Sequence, residues 1–171
     1  VVTGIEERSG LEFVAIPGGS FKVGCEASDE SCHFRERFGP RKTVHSMTIG
    51  KTEVTVAAFS RCISSGACSP KGIDKTNPSD EDPPGNSGSK SWCNWGKADR
   101  LSHPMNCMDR AHAAEFCSWI GGRLPTGEEW EYVARSGGRW IYPWGDDPPA
   151  RDRLARTPGT VAVASDPGGA N

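Results

Sequence analysis

Residues 121–138, GGRLPTGEEWEYVARSGG, carry the full sequence signal of one short helix in a chain rich in turn residues. Pro125 stands just before Thr126, and Glu129 follows Thr126 by three positions, which is the spacing of a capping box. We expect the Thr126 hydroxyl to accept a hydrogen bond from the backbone N–H of Glu129. The Glu129 carboxylate is expected to accept one from the N–H of Thr126 in return. A helix is therefore predicted to begin here.

The same helix has a predicted apolar face and a predicted end. Trp130, Val133 and Ala134 fall at helical spacing and are expected to form one apolar stripe. Gly137 and Gly138 are expected to end the helix. The stretch is thus predicted to be a sharply bounded support for the loops on either side.

The carboxylates of Glu128, Glu129 and Glu131 lie beside Trp130 in the sequence and raise the question of acid–base catalysis. Capping explains Glu129, and both Glu128 and Glu129 lie at the positive end of the helix dipole. We therefore predict a structural role for them rather than a catalytic one.

Length, charge and composition limit the function classes. The chain has 171 residues, a formal net charge of −2, 21 Gly, 13 Pro and 6 Trp. These values fit one domain over residues 1–171, in which Trp side chains hold many turns together. The charge favours neither nucleic acid nor an anionic membrane as a partner. No apolar run approaches the ~20 residues of a transmembrane helix.

The cysteines bear on the compartment. The first residues lack the features of a signal peptide, so we expect either a cytosolic chain or one whose leader has been removed. The 7 Cys favour the second alternative, because no CxxC occurs and only 4 His are present, which disfavours structural zinc. Disulfides predict a secreted, periplasmic or cell-surface location. The odd count leaves one thiol unpaired within the chain, and the local pairs predicted are Cys25–Cys32, Cys62–Cys68 and Cys93–Cys107.

Strands are predicted in the first third of the chain. Residues 11–24 are typical of two short strands around a Pro-Gly-Gly turn, and residues 43–54 are a strand candidate that includes His45. Residues 69–91 hold many turn residues and almost nothing apolar, which predicts a long surface loop over the body.

Two further helices are predicted. Thr55 is the expected N-cap of the first and Gly66 its C-cap, while Asp109 is the expected N-cap of the second, ended by Gly121 and Gly122. Their apolar faces are predicted to be Val56, Phe59, Cys62 and Ile63 in the first helix, and Ala113, Phe116, Cys117 and Ile120 in the second.

The segment HPMNCMDRAHAAEFCSWIGGRLPTGEEWEYVARSGGRWIYPWG, residues 103–145, resembles the formylglycine-generating enzyme, or sulfatase-modifying factor, family. GGSFKVG, IGKTEVTVAAFSRC and GTVAVASDPGGAN are similar to further family segments in the same order. The resemblance implies an α+β, modified C-type-lectin-like fold with two to three short helices, small sheets and much irregular structure. It covers nearly the whole chain as one domain, 1–171, that lacks the family's C-terminal segment.

The function that the resemblance implies is copper- and O2-dependent oxidation of a substrate cysteine to formylglycine, for which a peptide or protein is the substrate. The family's copper-binding cysteine pair lies in the segment beyond Asn171, so no catalytic residue is expected in this chain. Cys117 matches a cysteine that some members bond to one near the C-terminus, which implies a C-terminal fragment of the same domain as partner. The chain departs from the family at Met108-Asp109-Arg110 and at Gly127, and neither change touches catalysis directly.

Other functions stay open. A non-catalytic, lectin-like recognition or sensor module would suit the long loop at 69–91 and the cysteine pairs. Related iron-dependent sulfoxide synthases take their iron ligands from an added helical domain that is not visible here. A Cys pair with a nearby Arg and Ser in the C-terminal part would favour the oxidase, and its absence would favour binding.

Metal ligands within the chain are few. The family's structural calcium lies after the Tyr-Pro-Trp-Gly turn, where this chain has Asp146, Asp147 and Asp152. Solvated turn residues are the simpler interpretation, and Asp152 is the candidate calcium ligand. The histidines form no ligand set by spacing: His103, before Pro104, is predicted to anchor a loop by hydrogen bonding, and His112 to lie on a helix face.

Overall fold

In the described residues, five short strands are followed by three short helices with irregular connections. The computed structural model describes residues 2–25, 39–73, 93–147 and 160–165. The strands are β1 (Val2–Ile5), β2 (Glu12–Ile16), β3 (Gly19–Lys22), β4 (Arg41–Val44) and β5 (Met47–Gly50). The helices are α1 (Val56–Ser64), α2 (Arg110–Trp119) and α3 (Gly127–Ala134), and a 3-10 turn covers Ala98–Arg100.

The strands form two small antiparallel sheets. One has the order β1-β2-β5, with Phe13 opposite Gly50 and Ile16 opposite Met47. The other pairs β3 with β4, with Gly19 opposite Val44. Because β2 and β3 are joined only by Pro17 and Gly18, the chain changes sheets within two residues.

The prediction of a single strand over residues 43–54 is wrong, because the segment contributes to two strands. The segment breaks at His45 and Ser46, so that Val44 ends β4 and Met47 begins β5 in the other sheet. His45 therefore lies at an exposed break and not in a strand. The two places where the chain passes from one sheet to the other are in contact. A Cβ on Gly18 would be 2.8 Å from both the Ser46 nitrogen and the Val44 oxygen.

Helix α1 begins at the predicted cap. The Thr55 hydroxyl accepts a hydrogen bond from the backbone N–H of Ala58 at 3.1 Å. Phe59 and Cys62 are completely buried. The C-cap is Ser65, one residue earlier than predicted, and Gly66 follows with φ of +78°.

Helix α2 is capped by Asp109, whose carboxylate accepts from the backbone N–H of His112 at 3.0 Å. Phe116 is the buried residue of its predicted apolar face, while Ala113, Cys117 and Ile120 are half-buried. The Phe116 ring stacks on Phe59 of α1 with 5.7 Å between centroids.

Helix α3 has both hydrogen bonds of the predicted capping box. Its predicted apolar stripe is wrong at Trp130, which is 63% exposed, while Val133 and Ala134 are half-buried; Tyr132, outside the predicted stripe, is only 7% exposed. Residues two apart lie on opposite sides of a helix, so burying Tyr132 turns Trp130 outward. Tyr132 is held inward because its ring packs edge-on against Phe21 at 5.3 Å and its hydroxyl donates to the Pro17 carbonyl.

The apolar interior consists of two clusters. The smaller cluster joins α3 to the β3–β4 sheet and contains Phe21, Val44 and Tyr132. The larger one lies between α1, α2 and the three-stranded sheet; it contains Leu11, Val56, Ala58, Phe59, Cys62, Cys68, Ile73, Met105 and Phe116. The loop predicted at 69–91 thus contributes a completely buried residue, Ile73, while its residues 74–91 lie outside the described ranges.

Candidate functional site

The carboxylates at the start of α3 are occupied by structural contacts. Glu129 makes a two-pronged ion pair with Arg123, at 2.6 and 2.7 Å, and accepts from the backbone N–H of Thr126 at 2.8 Å. The hydrogen bonds from Arg123 and Thr126 lower the pKa of Glu129 to about 2. Glu128 pairs with Lys42 at 3.6 Å on the surface. A carboxyl group held ionised in this way is not suited to act as a general acid near neutral pH.

Glu131 joins α3 to the end of β3. Its carboxylate accepts from the backbone N–H of Gly24 at 2.7 Å and from the Arg135 guanidinium at 3.0 Å. Arg135 in turn donates to the carbonyl oxygen of Gly24 at 2.6 Å. The adjacent Cys25 is disulfide-bonded, and its predicted partner Cys32 lies outside the described ranges.

Two predicted disulfides are present, Cys62–Cys68 and Cys93–Cys107, with Cα atoms 5.3 and 5.4 Å apart. Among the described cysteines, Cys117 has a free thiol. Partial burial on α2 raises the pKa of the Cys117 thiol. Since the thiolate is the reactive form, this environment does not activate Cys117 as a nucleophile.

An open groove runs along the outer face of α2. Its lining is mostly small or apolar, apart from one carboxylate: Ala67, Ala111, Ala114, Glu115, Ser118 and Trp119. The Glu115 carboxylate accepts from the backbone N–H of Ser69 at 3.0 Å, so it is committed to holding the adjacent turn.

A polar network connects residue 160 with the segment around His103. Asn94, which is 1% exposed, donates through Nδ2 to the Pro104 carbonyl and to the Thr160 hydroxyl, both at 2.8 Å. His103 Nδ1 also contacts the Thr160 hydroxyl at 2.8 Å, and Arg100 donates to the Thr160 carbonyl at 3.3 Å. His103 is therefore the hydrogen-bonding loop anchor that was predicted.

The described ranges contain no group of three or more His, Cys, Asp or Glu side chains placed to hold a metal ion. Asp146 accepts from the backbone N–H of Ile141 at 2.8 Å, and the Asp147 carbonyl accepts from the Trp144 indole at 3.2 Å. Asp152 lies outside the described ranges, so its assignment as a calcium ligand stays a prediction. Cys117 has the one free thiol among the described cysteines, so the described ranges hold no pair of free thiols that could bind copper.

Comparison with known proteins decides the family. The sequence profile of the sulfatase-modifying factor enzyme 1-like domain matches residues 2–162. The chain belongs to this family. Its fold is the α+β, modified C-type-lectin-like fold of sulfatase-modifying factors, as predicted.

Individual relatives of this sulfatase-modifying-factor chain differ in their described activity. It is 47% identical over 49 residues to the formylglycine-generating enzyme of Mycobacterium tuberculosis, covering 29% of this chain and 16% of that enzyme. It is 42% identical over 52 residues to the inactive C-alpha-formylglycine-generating enzyme 2 of Bos taurus, covering 30% and 17%. The structure of PvdO from Pseudomonas aeruginosa superposes with a TM-score of 0.56 and 21% identity, covering 87% of this chain and 57% of that one.

Some anchoring residues of this sulfatase-modifying-factor chain were missed from the sequence. Asn94 lies between Cys93 and Trp95 and carries no hydropathy signal for its buried position. Its partner Thr160 is 66 residues away, a distance that spacing rules do not reach.

Within the described ranges, no helix combines the length and apolar character needed to traverse a bilayer.

Proposed function

We propose that this chain is the scaffold part of a formylglycine-generating oxidase, which uses copper and O2 to convert a substrate cysteine to formylglycine. The family match over residues 2–162, with a named formylglycine-generating enzyme among the relatives, is the observation that carries the proposal. The copper-binding cysteine pair is proposed to come from polypeptide that packs against this chain. The chain's own residues would supply a rigid support through the capped helices and the disulfides.

The proposal assigns Cys117 a partner in that polypeptide. Its thiol is half-buried and free among the described cysteines, which suits a bond to a residue outside this chain. The proposed location is an oxidising compartment, secreted, periplasmic or at the cell surface, supported by Cys62–Cys68 and Cys93–Cys107. Intact mass before and after reduction tests the partner, since a Cys117-linked fragment would separate only on reduction.

The activity is tested on the complete natural protein that contains this chain. Purified protein is loaded with copper and incubated in air with a peptide that carries a sulfatase-like cysteine segment. We expect the cysteine to become an aldehyde, which an aminooxy reagent captures and mass spectrometry locates. Samples without copper, or under nitrogen, are the controls and should give no aldehyde.

A recognition module is the second candidate. It is favoured by one comparison: the inactive bovine relative matches this chain at 42% identity over 52 residues, nearly as well as the mycobacterial enzyme does. If the complete, folded and copper-loaded protein forms no aldehyde while retaining the peptide in a binding assay, the recognition function replaces the oxidase.

A further inference from the structure

His112 lies between α2 and the turn of residues 69–73 and contacts a hydrogen-bond acceptor on each side. Its Nδ1 is 2.7 Å from the Asp109 carboxylate, and its Nε2 is 3.0 Å from the backbone carbonyl oxygen of Lys71. The His112 side chain is only 12% exposed. Both ring nitrogens are thus committed, one to the helix and one to the turn.

The chemistry of this arrangement requires a proton on each ring nitrogen. A carbonyl oxygen and an ionised carboxylate only accept hydrogen bonds, and only the imidazolium can donate to both at once. The neutral ring carries one N–H. The ionised Asp109 carboxylate is a stronger acceptor than a carbonyl and takes that N–H, so the Nε2 lone pair then faces the Lys71 carbonyl oxygen. Hydrogen bonds from His112 lower the pKa of Asp109, which keeps that carboxylate ionised.

The turn that His112 holds is tied to the core. Cys68, just before the turn, is bonded to Cys62 of α1, and Ile73 at its end is completely buried. Between them, the Ser69 N–H donates to Glu115 of α2 at 3.0 Å. Loss of the His112 contact to Lys71 would leave the bond from Ser69 to Glu115 as the polar link from α2 to this turn among the described residues.

We propose that His112 is a proton-dependent clasp that fastens the turn of residues 69–73 to α2 when charged and releases it when neutral. The charged groups around the ring are Asp109 and Glu115 on α2, and Lys71 in the turn, whose side chain is exposed. Both carboxylates favour the imidazolium.

The direction of the pH dependence follows from these contacts. Burial alone would lower the pKa of His112, but the hydrogen bonds to Asp109 and Lys71 and the charges of Asp109 and Glu115 raise it above its usual 6.5. The stabilisation is therefore fully present below about 6.5 and is lost as the pH rises through the raised pKa. Loss of the proton from His112 increases the equilibrium constant for opening of the turn. The increase is tenfold for each unit by which the pKa of His112 in the closed turn exceeds that in the open turn, and about threefold for half a unit.

Hydrogen exchange measured at several pH values tests the clasp in the full chain. Protection factors, corrected for the intrinsic pH dependence of exchange, are compared at the Ile73 amide between about pH 6 and pH 9. We expect protection in the wild-type protein to fall over this range and to level off above the raised pKa, with a tenfold fall for each unit by which the closed and open pKa values differ. In His112→Gln it should be lower at pH 6 and independent of pH.

Two variants separate the clasp from general effects. His45→Gln removes an exposed histidine elsewhere and should keep the wild-type pH profile. Asp109→Asn keeps a good N-cap but removes the charge beside His112, so its profile should shift to lower pH. A wild-type profile that is flat, or one that is unchanged in Asp109→Asn, would overturn the proposal even if His112→Gln does not fold.

Discussion

At the residue scale, Gly138 is held by two constraints at once. Its φ is +77°, and a Cβ there would lie 2.5 Å from the Phe21 Cβ and 3.2 Å from the Phe21 ring. Phe21 is 3% exposed and belongs to the smaller core cluster, so it has little room to move. The glycine therefore fixes how closely the turn after α3 approaches β3.

We predict that Gly138→Ala destabilises the protein more than Gly66→Ala does. Gly66 has a similar φ of +78°, but a Cβ there would have nothing within 4 Å, so it reports the backbone cost alone, about 1–2 kcal/mol. Overpacking against Phe21 should add about 1–3 kcal/mol in Gly138→Ala. Urea unfolding of both variants measures the difference, and equal losses would show that Phe21 yields without cost.

The residues of α3 alone could not predict which face of the helix is buried. Trp130, Val133 and Ala134 form a plausible apolar stripe when the helix is considered alone. The contact of Tyr132 with Phe21, more than a hundred positions earlier in the chain, decides which side faces inward. Hydropathy ranks Trp above Tyr, whereas the structure buries the aromatic ring whose hydroxyl has a carbonyl to bond.

At the element scale, the start of α3 should show a carboxylate-dependent stability. The pKa of Glu129 is lowered from 4.5 to about 2, chiefly by the hydrogen bonds from Arg123 and Thr126. A lowered pKa means that the stabilisation is present above the unfolded-state value and lost as the pH falls through the folded-state value. The window of interest therefore runs from about pH 4.5 down to pH 2.

We predict that Glu129→Gln reduces the loss of stability between pH 4.5 and pH 2 relative to the wild-type protein. Glu128→Gln is the matched control, because Glu128 is adjacent and pairs with Lys42 on the surface. Its removal should leave most of the acid dependence in place. Thermal unfolding across this pH range measures both, and identical profiles for the two variants would show that the capping box is not the source.

Helix boundaries were predictable because each cap is local. Thr55, Asp109 and Thr126 each bond a backbone N–H three residues later, so a few adjacent letters contain the whole signal. The strands were less predictable than the helix boundaries, because the sheet that a strand joins depends on its partner strand. Nothing in residues 43–54 alone indicates that the chain passes from one sheet to the other at His45 and Ser46.

At the scale of the whole molecule, the resemblance to the family predicted the fold, but most contacts of the candidate site could not be predicted from the sequence. The cysteine pairs at 62–68 and 93–107 are local and were predicted from spacing. The contacts that join distant segments, such as Asn94 with Thr160, depend on the finished fold. The histidine clasp likewise needs the turn at residues 69–73 to be placed beside α2 before it can be recognised.

The Thr160 hydroxyl makes hydrogen bonds that join residues 160–165 to the rest of the described protein, and a single substitution can remove them. We predict that Thr160→Val destabilises the protein by about 1–3 kcal/mol, because it keeps the side-chain shape but leaves Asn94 and His103 with unmatched polar atoms. Thr160→Ser keeps the hydroxyl and should cost less. Urea unfolding gives the free energies, and hydrogen exchange at the Val163 amide, which donates to the Ser102 carbonyl at 2.9 Å, reports the local attachment. If Thr160→Val lowers neither quantity more than Thr160→Ser does, the Thr160 hydroxyl does not hold this segment, and the hydrogen bonds of its backbone to Arg100 and Ser102 are sufficient.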